Sequence, residues 1–379
     1  MLHFSNPTNA LKRAEELVSV GQKDAALVAL HDVLSSKRHR TWQPAIEEVM
    51  TKFLDICVDM KKGKAAKDGL VQYRIICQQI NVASMEHVLR YFMQLAEEET
   101  QRSIDAAAAQ IDTSLASLLD FEDLEAEETP ESLMLSTIGG SSDSKKRIER
   151  QLITPTLKFL WETFRTVLEI LRNNTKLEDL YRDTALRAFA FCSKYKRSAE
   201  FRRLCDILRN HIQSQTKYDP KWKDREPPTP ESLQAHLETR FAQLGTATDM
   251  ELWQEAYRTV EDVHSLVMTM KKQPRPASMA AYHAQLAKIF WVADNGLFHA
   301  YATSRLFSIT RTMKAHQDPA ELQLLASRAV VAALAIPPVN PVLDVNLLEY
   351  DLEHEKTKRM AVRAAPSAAP RAAPLPPPP

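Results

Sequence analysis

Residues 44–80 read PAIEEVMTKFLDICVDMKKGKAAKDGLVQYRIICQQI, and their apolar side chains recur with the spacing of an α-helix. The proline at the start of this stretch is typical of a first helical position. Gly63 separates two apolar stripes, which predicts two helices joined by a short turn. The first stripe comprises Ile46, Val49, Met50, Phe53, Leu54, Cys57 and Val58, and the second comprises Leu70, Tyr73, Ile76, Cys77 and Ile80. We therefore expect paired helices to be the building unit of the chain.

The turn of this helical hairpin has loose echoes elsewhere. Residues 21–27 (GQKDAAL) resemble residues 63–70 (GKAAKDGL), about 42 residues later, a separation within the periods of helical-hairpin repeats. Weaker echoes are YKRSAEF at 195–201 and LWQEAY at 252–257. The irregular spacing favours a degenerate solenoid, and the alternative is chance recurrence of residues that favour helices.

Helix-start signals recur along the chain. The sequence TPESL occurs at 129–133 and again at 229–233, with threonine as the expected cap and proline at the first helical position. Residues 248–251 read TDME, which predicts a capping box at a further helix start. Residues 320–336 are rich in Leu, Ala and Val and predict a helix at an uncovered end of the stack.

Composition divides the chain into four regions. Helical repeats are predicted over residues 1–120 and again over residues 151–340. Residues 121–150 are predicted to be a flexible loop, because seven carboxylates crowd the stretch from 120 to 131 and GGSSDS follows. Residues 341–379 are predicted to be partly helical and then to form a disordered tail rich in proline and alanine.

The composition also argues against several classes of function. The 379 residues include only seven glycines, which disfavours the glycine-rich loops of most nucleotide-binding enzymes. Because 49 basic and 49 acidic side chains cancel, binding to nucleic acid or membrane requires local patches. No phosphate loop, nucleophile elbow or paired zinc-ligand spacing occurs. We predict no enzyme activity, catalytic residue, cofactor or metal; the alternative is an all-helical enzyme with an unrecognised site.

Four cysteines, Cys57, Cys77, Cys192 and Cys205, lie far apart within apolar helical patterns. Free cysteine behaves as a small buried hydrophobe, so we predict four reduced core residues. The first residues lack a basic stretch leading into an apolar run, and the longest apolar run, residues 329–339, is short and contains two prolines. We expect a soluble, cytoplasmic protein.

Basic clusters at turns between helices supply the candidate binding residues. The first cluster comprises Lys37, Arg38, His39, Arg40 and Trp42, and the second comprises Lys61, Lys62 and Lys64. Cations beside an indole suit contact with phosphates and stacking on bases, so we predict contact with RNA. The alternative is that the charges solubilise the surface and that Trp42 caps the core. A third cluster is predicted on the exposed side of a later hairpin: Lys194, Lys196, Arg197, Arg202, Arg203 and Arg209.

Seven short segments, in this order, resemble the amino-terminal region of the a-subunit family of eukaryotic translation initiation factor 3. The segments are NALKRAEEL at 9–17, KRHRTWQ at 37–43, FLWETFR at 159–165, LRNN at 171–174, AEFRRLC at 199–205, HLETR at 236–240 and MELWQEA at 250–256. The resemblance covers roughly residues 4–337. Beyond residue 336 the sequence departs from the family's pattern, and the family's winged-helix part is not found.

The resemblance implies an all-α, TPR-like or PCI-type right-handed solenoid that serves as a non-enzymatic scaffold. It implies other initiation factor 3 subunits as partners, with the c-subunit contacted through the PCI-type module. It further implies binding of the small ribosomal subunit and recruitment of mRNA and initiator tRNA. The alternative is a helical-repeat adaptor of another PCI-type assembly, such as the proteasome lid or the signalosome.

Overall fold

The computed structural model describes residues 7–36, 41–77, 80–109, 124, 153–172, 174–216, 230–270, 274–313 and 319–336. Within these ranges the regular structure consists of thirteen α-helices and one 3-10 turn at Thr175–Leu177, with no strand. The predicted all-α class is confirmed. The predicted four-region division of the chain stays a prediction, and the Pro-rich tail lies outside the described residues.

The helices follow one another in pairs along the chain. In order they are α1 (Pro7–Ser19), α2 (Lys23–Ser35), α3 (Pro44–Asp59), α4 (Gly63–Cys77), α5 (Val82–Ala109), α6 (Thr154–Leu171), α7 (Glu178–Lys194), α8 (Ser198–Thr216), α9 (Pro230–Asp249), α10 (Trp253–Thr269), α11 (Pro276–Val292), α12 (Gly296–Thr312) and α13 (Pro319–Leu334). Proline at the first position of α3 and α9 confirms two of the predicted helix starts.

Packing is local along the stack. Most helices contact their neighbours in sequence, and α1 also contacts α3, α2 contacts α4, α3 contacts α5 and α4 contacts α6. The same next-but-one contact joins α7 to α9 and α9 to α11. Buried apolar side chains form one cluster that extends from Ala10 to Ala302. This arrangement confirms the predicted stack of helical hairpins.

Five of the turns share one backbone geometry, the Schellman motif. After α1, α3, α7, α9 and α11 a residue adopts positive φ, and the next N–H group donates to a carbonyl five residues back. After α3, for example, Lys61 has a φ of 54° and the Lys62 N–H donates to the Cys57 carbonyl at 2.9 Å. The residues with positive φ are Gly21, Lys61, Lys196, Glu251 and Asp294.

This shared geometry explains the sequence echoes and corrects their register. Lys61, rather than Gly63, is equivalent to Gly21, because Lys61 has the left-handed conformation while Gly63 is already the first residue of α4. In this register Ala26 of α2 corresponds to Ala66 of α4, and both are buried. A small side chain at that position lets the second helix of each pair approach its neighbour closely.

Two predicted boundaries are wrong. Thr248 is not a helix cap, because its hydroxyl donates to the Leu244 carbonyl at 2.7 Å inside α9, and α9 runs to Asp249. The TDME segment therefore ends a helix instead of starting one. Ile80 does not continue the stripe of α4, because that helix ends at Cys77 and Ile80 is exposed.

Helices α5 and α6 pack against each other, and a long connection joins them. Within it the structure describes Leu124 and, directly before α6, Ile153. The side chain of Leu124 is buried, and its N–H donates to Glu200 Oε1 at 2.7 Å. Leu124 is thus an anchored point within the segment predicted as a flexible loop, and the rest of 121–150 lies outside the described residues.

Candidate functional site

The predicted binding residues that the structure describes lie just outside the two ends of α3. Lys37, Arg38, His39 and Arg40 lie outside the described residues, in the connection between α2 and α3. Trp42 lies two residues before the start of α3, whereas Lys61, Lys62 and Lys64 follow its end. Because α3 has 16 residues, a rise of 1.5 Å per residue separates the two groups by about 24 Å. Trp42 and the lysines of the second turn therefore lie at opposite ends of one helix.

Trp42 is held by a hydrogen-bonded network on α3, α4 and α5. Its indole Nε1 donates to Ser84 Oγ at 3.1 Å, and Ser84 Oγ donates to Glu47 Oε2 at 2.6 Å. Tyr73 Oη lies 2.6 Å from the same Ser84 oxygen, and His87 Nδ1 lies 2.9 Å from Glu47 Oε1. The indole is half-buried against the core. This network fixes where the chain enters α3 after the first basic turn.

The residues of this network were not recognised as a unit from the sequence. Tyr73 belongs to a predicted apolar stripe, but Ser84 and Glu47 carry no spacing signal because they lie on different helices. Asn81 offers the one local signal, since its side chain accepts a hydrogen bond from the Ser84 backbone N–H at 3.1 Å at the start of α5. The network positions Trp42 at the start of α3.

The second basic turn lies beside the turn between α1 and α2. Lys23 Nζ is 3.4 Å from Asp59 Oδ2, and Lys62 Nζ forms an ion pair with Asp24. These two cross-hairpin pairs place both turns side by side on one edge of the stack. Such exposed pairs each contribute about 0–1 kcal/mol, so they align the turns without strongly stabilising them.

Ion pairing distinguishes the lysines of the second turn. Lys62 is paired with Asp24, and the neighbouring Lys67 donates to Glu169 Oε2 at 2.8 Å. Lys61 and Lys64 have no carboxylate partner among the described residues, and Lys64 is exposed. A polyanion that binds to this edge of the stack would therefore contact Lys61 and Lys64 as uncompensated cations.

The third basic cluster does not form the exposed surface that the sequence predicted. Arg197 is only 2% exposed, because it follows the left-handed residue of a turn and points into the core. Arg209 is engaged by Asp206 at 2.9 Å and by Asp262 at 3.0 Å. Lys194 donates to Gln101 at 3.1 Å. The prediction that these residues share one exposed face is wrong, since turn position alone does not determine burial.

A buried polar network links α9 and α10. Arg240 Nη1 donates to Gln243 Oε1 at 2.6 Å, and Gln243 Nε2 donates to Thr259 Oγ1 at 2.9 Å. All three side chains are almost completely buried. Their mutual hydrogen bonds offset the cost of removing these polar groups from water. No sequence pattern indicates this network, because its residues alternate with ordinary helix-forming residues.

Two buried histidines and two buried cysteines are held in their neutral forms. Burial lowers the pKa of His211 and of His236 to about 4, and the nearby charges of Arg172 and Arg240 respectively act in the same direction. Burial also raises the pKa of Cys57 to about 12 and that of Cys77 to about 11. All four cysteines are buried and free, which confirms the predicted core thiols. Near neutral pH these groups supply neither cations nor thiolates.

Metal ligands and membrane spans can be assessed for the described ranges alone. These ranges contain no group of three or more His, Cys, Asp or Glu side chains arranged to hold a metal ion. None of the helices within them combines the length and the apolar character needed to cross a membrane.

Stacked helical hairpins with basic turns define a helical-repeat protein. A family model described as "eIF3a, PCI domain, TPR-like region" matches residues 8–372. The Nicotiana tabacum and Arabidopsis thaliana proteins named as the A-subunit of eukaryotic translation initiation factor 3 are each 49% identical over 361 residues, 95% of this chain. The Homo sapiens protein of that name is 44% identical over the same share. The chain belongs to this family of initiation factor 3 subunits, which confirms the resemblance seen in the sequence. The predicted departure from the family's pattern beyond residue 336 is wrong, because the family model continues to residue 372.

The chain spans little more than a third of the length of the most similar of these relatives. It covers 37% of the tobacco protein, 36% of the Arabidopsis protein and 26% of the human protein. A solved tetratricopeptide repeat protein from Parabacteroides merdae aligns with 86% of this chain and 98% of its own at 11% identity. Its TM-score of 0.23 is too low to support any argument about the fold.

Proposed function

We propose that this chain is a non-enzymatic scaffold within translation initiation factor 3. In this role it contributes to binding of the small ribosomal subunit and to recruitment of mRNA and initiator tRNA in the cytoplasm. The observation that carries the proposal is the 49% identity to initiation factor subunits over 95% of the chain. The family match favours this role over an adaptor of the proteasome lid or the signalosome.

The scaffold role agrees with the physical character of the stack. A row of packed hairpins presents its turns and outer faces at fixed separations, so several weak contacts can add to a strong overall affinity. Other subunits of the complex, the c-subunit among them, are the proposed protein partners. The proposed RNA contacts are the two basic turns at the ends of α3.

The two turns are proposed to differ in how they contact RNA. The first combines the cations of Lys37, Arg38 and Arg40 and the imidazole of His39 with the indole of Trp42, whose position is set by Ser84. The second relies on Lys61 and Lys64, because Lys62 is already paired with Asp24. Both contacts are electrostatic in part, and their strength therefore falls as the salt concentration rises.

This proposal is tested by measuring the affinity of the full chain for isolated small ribosomal subunits across a salt titration. Replacing Lys37, Arg38 and Arg40 by alanine should weaken binding at low salt. Each lost phosphate contact lowers the slope of log affinity against log salt by about 0.7–0.9, so three contacts lower it by about 2. The double replacement of Lys61 and Lys64 by alanine should lower the slope by about 1.5.

A matched control exists in the same region. Replacing Lys62 and Lys67 by alanine removes the same number of charges as the Lys61 and Lys64 variant, but these two lysines are compensated by Asp24 and Glu169. We expect the salt slope of this control to change little. Equal slopes for the unaltered chain and all three variants, with unchanged helical content by circular dichroism, would exclude both turns as the ribosome contact.

A further inference from the structure

The last three helices leave an apolar groove open on one side of the stack. Helices α11, α12 and α13 enclose about 730 Å³, with Trp291, Leu306, Leu325 and Val331 among the lining residues. Trp291 is 71% exposed and Val331 is 65% exposed. Exposed apolar side chains that line one groove are typical of a surface that binds another molecule.

The groove lies where two helices would otherwise pack on each other. Elsewhere in the stack the first helices of consecutive hairpins are in contact, as α1 is with α3, α7 with α9 and α9 with α11. Contact of this extent is not formed between α11 and α13, which both line the groove. Helix α13 buries only Ala332, whereas α3, which has the same length, buries eight side chains. The groove is therefore a gap in the stack that a further helix would fill.

The register of the turns leads to the same conclusion for Trp291. This residue lies three positions before Asp294, the left-handed residue of its turn. The residues at the same distance before the left-handed residues that follow α3 and α9 are Val58 and Thr248, which are only 2% and 0% exposed. Trp291 thus occupies a position that neighbouring elements cover in two other hairpins.

The side chains of the groove suit an incoming helix. The indole ring of Trp291 lies 5.2 Å from the imidazole ring of His299, and His299 Nδ1 donates to the Ala287 carbonyl at 2.8 Å. A held aromatic ring beside small residues can accept the bulky anchoring side chains of an amphipathic helix. Small lining residues come from all three helices: Ala284, Ala287, Thr303, Ala332 and Ala335.

The charge of the groove indicates the kind of helix. Lys288 and Arg328 both line it and are exposed, and neither forms an ion pair within the part of the chain that the structure describes. Among the described lining residues Asp294 is the single acidic one. A helix with acidic residues beside its apolar face would compensate the two cations. The other charged residues in the described ranges from 274 to 336 are also mainly basic: Arg275, Arg305, Arg311 and Glu321.

We propose that this groove binds an amphipathic helix of another protein, with acidic residues flanking the apolar face of that helix. Its apolar side chains cover Trp291 and Val331, and its carboxylates pair with Lys288 and Arg328. A symmetric dimer through this groove would instead bring the same cations of two copies together. Nucleic acid would compensate the cations but leave the aliphatic side chains uncovered. The inference rests on the proposed scaffold function, which requires surfaces that bind protein partners.

Two synthetic peptides of about 18 residues, five helical turns, test the proposal. Both carry leucine and phenylalanine along one face; the first has glutamate on both flanks, and the second has lysine at the same positions. We expect the full chain to bind the fluorescent acidic peptide more tightly than the basic one, as measured by anisotropy. The double variant Lys288→Glu with Arg328→Glu should reverse this preference and weaken binding of the acidic peptide about tenfold or more.

Two further variants distinguish apolar packing from charge. Trp291→Ala should weaken binding of the acidic peptide about tenfold or more, and because this side chain is 71% exposed its loss removes little packing from the fold. The matched control Lys12→Glu with Lys158→Glu makes the same change of charge at exposed residues of α1 and α6 and should leave both affinities unchanged. Circular dichroism checks the helical content of each variant.

The fluorescence of Trp291, taken as the difference from a Trp291→Phe chain, shows what fills the groove even if a variant misfolds. Acrylamide should quench it in the chain alone, and the acidic peptide should protect it. Protection in the chain alone that rises with protein concentration would refute the proposal in favour of a second copy. Protection that does not depend on concentration would refute it in favour of the chain's own residues.

Peptide binding itself can also contradict the proposal. Equal affinity for the two peptides, or an unchanged preference in the charge-reversal variant, would overturn it. Binding of a polyuridine oligonucleotide in place of the acidic peptide, lost in the same variant, would assign the groove to nucleic acid and overturn it as well.

Failure of this inference is distinguishable from failure of the proposed function. If neither peptide binds while purification of the tagged chain enriches initiation factor 3 subunits, the groove proposal is wrong and the scaffold function stands. Selective binding of the acidic peptide by a chain that enriches none of these subunits would support the groove as a helix-binding site and refute the scaffold function.

Discussion

At the scale of single residues, four turns place ordinary side chains in a conformation that suits glycine. Lys61, Lys196, Glu251 and Asp294 have φ between 50° and 58°, where an L-residue costs about 1–2 kcal/mol relative to its right-handed conformation. The cost is offset because this conformation lets backbone N–H groups bond to the last carbonyls of the preceding helix. The chain can therefore form these turns with few glycines.

We predict that Lys196→Gly and Glu251→Gly each raise the free energy of unfolding by about 0.5–1 kcal/mol. The gain is smaller than the full strain, because glycine also increases the entropy of the unfolded chain. Both side chains are exposed, so no packing is lost. Urea unfolding followed by circular dichroism measures the change.

Gln254→Gly is the matched control for this prediction. Gln254 is exposed and lies in the first turn of α10, only three residues after Glu251, but it has helical geometry. Glycine there should lower the free energy of unfolding by about 0.5–1 kcal/mol. Destabilisation of similar size by all three substitutions would contradict the strain argument.

At the scale of helices, two glycines inside helices have opposite roles. Gly69 of α4 lies against the ring of the buried Phe53 on α3, and an added Cβ would overlap that ring. Gly245 of α9 has open space where its Cβ would be. Gly69 thus permits the close approach of α3 and α4, whereas Gly245 only weakens its own helix.

We predict that Gly69→Ala and Gly245→Ala change stability in opposite directions. Gly69→Ala should lower the free energy of unfolding by about 1–2 kcal/mol, because overpacking outweighs the better helix propensity of alanine. Gly245→Ala should raise it by about 0.5–1 kcal/mol. Thermal or urea unfolding of the two single variants measures both changes, and stabilisation by Gly69→Ala would refute the proposed close packing.

Helices were predictable from the sequence where one face of the helix is buried along its whole length. All seven residues of the first stripe, Ile46 to Val58, are buried in α3, because amphipathic spacing directly encodes the face that packs. Helix ends were harder to predict. Lys61 and Glu251 adopt the left-handed conformation without being glycine, so the turn at Gly63 was placed two residues late and the end of α9 was taken for a start.

The candidate site was predictable only in part, because the sequence shows which charged residues are adjacent but not which of them are paired. A run such as residues 37–42 is visible because its members are adjacent in sequence. The ion pair between Lys62 and Asp24 and the hydrogen bond from Trp42 to Ser84 each join residues about 40 positions apart. The spacing of residues in a single sequence does not reveal such pairs. Which lysines are compensated therefore became known only from the structure.

At the scale of the whole molecule, the architecture followed from local rules. Each helix packs mainly on its nearest and next-nearest neighbours, so correct helices and short turns are sufficient to specify the stack. The buried network of Arg240, Gln243 and Thr259 was not predictable in this way. Its residues are polar, and only three-dimensional packing places them inside.

The central claim is that this stack is a scaffold of the initiation machinery. Affinity purification of the tagged full chain from its own cells, followed by mass spectrometry and sucrose-gradient sedimentation, tests it most directly. We predict enrichment of other initiation factor 3 subunits and co-sedimentation with small ribosomal subunits, both reduced at high salt. Enrichment of proteasome-lid or signalosome subunits instead, with the chain absent from ribosomal fractions, would contradict this claim.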